Sequence, residues 1–225
     1  MSKAPVPLSS SQDVSHFLAK VRGRAQGEGR LIFALDATAS RDATWDRACT
    51  LHAEMFDVAS SLGGIGVQLA YYRGYREFHA SAWSHDPRAL FKQMSAVRCA
   101  GGMTQILRVL KHAVKEQRAS RIGAVVFIGD AFEEDVDECC DIAGQLGILK
   151  VPVFVFQEGH DAIAERALRQ ISNLSQGAYC RLDADSADLL KELLRAVAAY
   201  VAGGVSEARR LTTRHPQTRE LLSKL

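Results

Sequence analysis

Short apolar runs and stretches of helical period take turns along this chain from residue 31 onward. RLIFALD, GIGVQLAYYRG, RIGAVVFIGD, VPVFVFQ and GAYCRLD are rich in β-branched and aromatic residues and bounded by turn-forming ones. LIFALD and AVVFIGD show no polar alternation, which suits central strands buried on both faces. Between the runs, apolar residues recur at three- and four-residue intervals. The first such segment, 42–61, carries Trp45, Ala48, Cys49, His52, Met55, Phe56 and Ala59 on one side; the others span 86–97, 104–116, 134–146, 161–173 and 186–201. YREFHASAW reads as one more strand. Only Arg73-Gly74 separates it from the strand before, too little chain for a parallel crossover, so these two pair antiparallel. The pattern predicts an α/β fold: a doubly wound, mostly parallel six-stranded sheet with one antiparallel edge strand and helices on both faces.

The ends read differently. Residues 1–28 form an extension whose Val14, Phe17, Leu18 and Val21 stand at helical spacing, with Ser10 or Ser11 available as a cap. Residues 29–203 carry the alternating pattern, and 204–225 form a basic tail with Arg209, Arg210, Arg214 and Arg219. A chain of 225 residues suits one domain with short extensions. A net charge of +2 is too small to argue for nucleic acid or an anionic membrane surface. No apolar run approaches the roughly 20 residues that span a bilayer, and the first residues lack a secretory apolar core. Cys49, Cys99, Cys139, Cys140 and Cys180 are odd in number and fit no zinc spacing. Reduced thiols and a cytoplasmic setting follow as the expectation, with a redox role for Cys139 and Cys140 as the minor alternative.

Candidate chemistry gathers where strands stop. Asp36, Thr38 and Ser40 follow the first run, Thr104 lies in GGMTQI, and Asp130 ends VVFIGD. Ligands bind at the carboxyl edge of such sheets. Neighbouring strands would bring Asp36 and Asp130 close, and a divalent cation relieves the repulsion between two carboxylates. Two carboxylates and three hydroxyls are hard oxygen donors that suit Mg²⁺ or Mn²⁺. Ala37 and Ala39 are small enough to let the backbone approach an ion. For Thr38 and Ser40 the alternative is a cap on the helix starting near Asp42.

Asp36-Ala37-Thr38-Ala39-Ser40 resembles the D-x-[ST]-x-S signature of the von Willebrand factor A (VWA) domain, with its metal-ion-dependent adhesion site. Gly101-Gly102-Met103-Thr104 resembles that family's glycine–threonine loop, and Gly129-Asp130 its second aspartate. The resemblance covers about residues 30–202, with all three motifs in order. Thr38 stands where serine is more usual, Ala131 where glycine often follows the aspartate, and Met103 intervenes before Thr104. The resemblance implies a six-coordinate Mg²⁺ or Mn²⁺ held by Asp36, Thr38, Ser40, Thr104 and Asp130, some through water. It also implies an open position for a carboxylate from a partner protein, and a non-enzymatic interaction module. Uncharged hydroxyl ligands would keep such an ion attractive to that acid.

Other features of the sequence admit two readings each. Glu133, Glu134, Asp135, Asp137 and Glu138 suit the start of the next helix, where its dipole favours acids, with a second metal as the sharper alternative. Tyr71, Tyr72, Arg73, Tyr75 and Arg76 read as edge-strand decoration or as a contact patch. His79, His85 and His112 propose no zinc site, and His160 follows a strand near the same rim. One rival function is Mg²⁺-dependent phosphotransfer of haloacid-dehalogenase type with Asp36 as nucleophile. It lacks the acid two residues later, since Thr38 stands there. The other is an RNA-associated VWA module, which the weak net charge disfavours.

Overall fold

A computed structural model of the chain describes residues 13, 14, 16, 17, 20, 29–42, 45, 65–182 and 187–203. Its six strands are β1 (Arg30–Asp36), β2 (Gly66–Arg73), β3 (Glu77–Ala80), β4 (Ala124–Gly129), β5 (Val153–Glu158) and β6 (Ala178–Leu182). Its helices are α1 (Pro87–Ser95), α2 (Ile106–Ala119), α3 (Val136–Ile148), α4 (Ala162–Leu174) and α5 (Ala187–Gly203). The strands lie in the order β3-β2-β1-β4-β5-β6, all parallel except the β2–β3 pair at the edge. This is the predicted doubly wound sheet. The helix expected over 42–61 falls almost wholly outside the described residues, as does the basic tail.

Burial explains the two strand types. β1 and β4 run through the middle of the sheet and are buried along nearly their whole length. β3 at the edge is largely exposed and only four residues long, shorter than YREFHASAW suggested. Side chains alternate across the sheet. Leu31, Phe33 and Leu35 enter one core layer with Met94 of α1 and Leu193, Leu194 and Val197 of α5. Ile32 and Ala34 enter the other, with Leu110 of α2, Cys139 of α3 and Leu168 of α4.

The N-terminal segment joins the first layer. Asp13, Val14, His16, Phe17 and Lys20 are helical. Phe17 is fully buried, its ring 5.2 Å from those of both Phe154 and Phe156. Asp13 accepts from both terminal nitrogens of Arg169 on α4, at 2.8 and 3.1 Å.

Aspartates begin three helices. Asp86 accepts from the Arg88 amide, Asp135 from Asp137 and Glu138, and Asp161 from Ile163 and Ala164. Each satisfies amides that the first helical turn leaves unbonded. Helix starts read from apolar period alone therefore fall one or two residues early, because the capping residue precedes the helix. α2 differs. Gln105, at its start, makes no side-chain cap bond. Its cap comes from another loop, at the site.

Candidate metal centre

The parallel pairing of β1 with both β2 and β4 sets the geometry of the rim. Asp36 stands opposite Tyr72 of β2, while Leu35 stands opposite Ile128 of β4. The chain beyond β4 thus leaves beside Asp36, as the sequence required if the two carboxylates were to meet. Gly129 makes the approach possible: a Cβ there would lie 2.8 Å from the Phe127 ring and 3.2 Å from the Asp36 Cβ.

Asp36 is fully buried at the bottom of the site. Its Oδ1 accepts from the Thr38 amide at 2.8 Å, and its Oδ2 accepts from the Tyr72 hydroxyl at 2.9 Å. Burial raises its pKa, opposed by these hydrogen bonds and by the charge of Arg41. Thr38 makes no side-chain cap to the short 3₁₀ turn Ala39–Arg41. Instead its Oγ1 lies 3.1 Å from Ser40 Oγ, so the two hydroxyls sit together at the rim. Asp130 is half-buried, and its Oδ1 is buried without a hydrogen-bond partner among the described residues. An ionised oxygen in that position is costly unless something compensates it.

Three loops are locked together around these groups. Thr38 bridges to Ala100, whose amide donates to the Ala37 carbonyl at 3.1 Å; this draws the Gly101–Thr104 loop beside Asp36. Gly102 must be glycine here, because a Cβ would fall on the Gly74 carbonyl. Buried Thr104 bonds reciprocally with the loop after Asp130. Its amide donates to Glu133 Oε2 at 3.1 Å, and its hydroxyl accepts from the Glu133 amide at 2.9 Å. Glu134 then caps α2, accepting from the Ile106 and Leu107 amides.

Glu133 and Glu134 therefore do not sit at the start of their own helix, as their position in the sequence suggested. They reach back across the site, and only Asp135, Asp137 and Glu138 serve α3. Among the described residues no three His, Cys, Asp or Glu side chains gather where they could hold a metal ion. Any cation at the rim depends on the hydroxyls.

Two further residues escaped sequence reasoning. Tyr72 is not part of an edge decoration or contact patch, as the hairpin cluster suggests, but is fully buried with its hydroxyl on Asp36. Its period-two alternation with Tyr71 carries that signal. Arg41, only 1 % exposed, donates to the Asp36 carbonyl at 2.5 Å and to both oxygens of Glu158 at 3.2 and 2.8 Å. It also lies in the field of Asp130. No local pattern announces it, since Glu158 is 117 positions away.

The residues fit a hard divalent cation. Asp130 offers a carboxylate oxygen unpartnered among the described residues, Thr38 and Ser40 an adjacent hydroxyl pair, and Asp36 a buried carboxyl group held by two hydrogen bonds. Thr104 stands at the same rim with one hydroxyl acceptor site already used by Glu133.

Mostly parallel α/β sheets with one antiparallel edge strand define the class, and within it the fold is that of VWA domains. A von Willebrand factor type A protein from Catenulispora acidiphila superposes with a TM-score of 0.63 and 18% identity over 78% of this chain. This chain spans only 43% of that protein's length. The SpRpn10 VWA domain gives a TM-score of 0.59 at 12% identity, covering 73% of this chain and 92% of that one. Manganese-loaded TRAP from Plasmodium vivax gives 0.61 at 16%, covering 81% and 75%. At these identities the likeness is one of fold. No protein-family model matches the sequence, and no curated protein matches it.

Proposed function

We propose that this chain is a non-enzymatic protein-interaction module that holds Mg²⁺ or Mn²⁺ at the rim and presents it to an acidic side chain of a partner protein. Asp130, Thr38 and Ser40 face the ion, and Asp36 and Thr104 complete its surroundings directly or through water. The observation that carries this reading is the buried Asp130 Oδ1, which has no hydrogen-bond partner among the described residues although it sits beside loops in which Asp36, Thr104 and Glu133 are hydrogen-bonded. The bound ion would supply an electrophilic position for a partner's carboxylate oxygen. The VWA fold and the manganese-loaded neighbour support the same reading.

Thr38 in place of a second acid weighs against phosphotransfer from Asp36. Asp36 is also buried and hydrogen-bonded on both oxygens, a poor state for a nucleophile. A cytoplasmic setting accords with the four described cysteines, all free thiols. Among the described residues no helix is long and apolar enough to cross a membrane.

The test is a Mg²⁺-dependent pull-down comparing the wild type with Asp130→Ala. A protein retained by the wild type, released by EDTA and missed by the variant fits the proposal. Identical retention with and without metal would refute it.

A further inference from the structure

We propose that the cavity beside Thr104 is a second carboxylate subsite, so that the partner of this rim is a protein segment carrying at least two acids. This rests on the metal reading above and specifies the partner more closely. The cavity encloses about 530 Å³ between the β2–β3 hairpin tip and the start of α2, and Thr104 lines it as well as the metal rim. Its other walls include Tyr75, Arg76, Met103 and Arg108.

The cavity is built rather than incidental. Gln105 donates through Nε2 to the carbonyl of Arg73 and, at 3.5 Å, to that of Gly74, tying α2 to the hairpin. Arg108 donates from one nitrogen to the Arg76 carbonyl at 2.6 Å and to Gln105 Oε1 at 2.7 Å, which fixes its guanidinium. Arg76 adopts a left-handed conformation, φ 58°, that a non-glycine residue rarely takes, and its guanidinium lies over the Tyr75 ring at 5.4 Å.

Its charge selects the occupant. Neither Arg76 nor Arg108 is ion-paired with a carboxylate among the described residues, whereas Arg73 is held by Glu77 and Arg169 by Asp13 and Glu165. Glu134 also lines the cavity, but both its oxygens are engaged by the α2 amides. Two guanidinium groups remain to receive an anion, and guanidinium recognises carboxylates through paired hydrogen bonds. Tyr75 and Met103, 84% and 62% exposed, offer apolar area between the two charges; Tyr, Met and Arg are the residue types enriched at protein interfaces. On an extended segment, alternate side chains share one face. One acid would then face the rim while another on the same face meets the arginines. A nucleic-acid strand would need a longer basic track than two arginines supply.

The experiment uses the full chain with saturating Mn²⁺ and a synthetic peptide library. One Asp is fixed, a second Asp or Glu stands at increasing spacing, and Leu or Tyr fills the interval. We expect two-acid peptides to bind about tenfold more tightly than one-acid controls. Arg76→Gln and Arg108→Gln should each erase that advantage while leaving Mn²⁺ affinity and one-acid binding unchanged. Arg76→Glu should transfer the preference to peptides with Lys at the second position, a reversal that mere loss of structure would not produce. Equal binding of one- and two-acid peptides, or an advantage that survives both arginine variants, would overturn the subsite with the metal reading intact; no peptide binding at all would overturn the subsite and the partner-acid reading together. Salt-sensitive binding of oligo-dT in place of peptides would overturn it in favour of nucleic acid. Failure of the wild type to bind Mn²⁺ would remove both readings.

Discussion

Tyr72 and Thr104 show how single side chains set the electrostatics of the rim. The Tyr72 hydroxyl is a hydrogen-bond donor to Asp36 Oδ2. Tyr72→Phe leaves the ring in place and takes that donor from a buried carboxylate, so urea denaturation should show a loss of about 1–3 kcal/mol. Thr104→Ala breaks one half of the reciprocal bond with Glu133 and removes a candidate ligand. It should weaken Mn²⁺ binding and also lower Tm by about 2–4 °C, the shift that ~1 kcal/mol makes in a chain of this size. A variant with unaltered Mn²⁺ affinity would take Thr104 out of the site. Of these residues, the five candidate ligands were legible from type and spacing at strand ends. Tyr72 was legible in principle from alternation. Arg41 was not, because its meaning lies in a bond to a strand end far away in sequence.

At the scale of elements, the fold depends on contacts between segments remote in sequence. Phe17 comes from the N-terminal segment yet sits between Phe154 and Phe156 of β5. Phe17→Ala should cost about 3–5 kcal/mol by denaturant titration, the range for aromatic truncation in a core. A loss under about 1 kcal/mol would mean that the segment is dispensable. α2 packs on β2 through His112, whose Nε2 lies 2.7 Å from Gln68 Oε1. Burial holds His112 below its ordinary value of 6.5, Glu116 opposing and Lys115 adding. Below pH 6.5 the unfolded chain therefore binds a proton that the folded chain refuses. Stability from neutral His112 is present above that pH and declines as pH falls through the window beneath it. His112→Gln should flatten Tm against pH below 6.5; an unchanged slope would show that other groups govern it. Strands and helices were readable from period, because each needs only local pattern. The cap of α2 by Glu134 was not, since it joins two loops that meet only once the sheet has formed.

For the whole molecule, sheet order decides where the chemistry goes. With β1 between β2 and β4, the loops after β1 and β4 and the Gly101–Thr104 loop converge on one edge, and Arg41 ties that edge to β5 through Glu158. The sequence order of the three motifs foretold the convergence, but not the hydrogen bonds that join the three loops. Whether this rim binds a divalent cation is decided by Mn²⁺ titration followed by electron paramagnetic resonance. The wild type should show one saturable Mn²⁺ site that Mg²⁺ displaces, lost in Asp130→Ala with circular dichroism unchanged. No saturable site in the wild type, or the same site persisting in Asp130→Ala, would contradict a cation site at this rim.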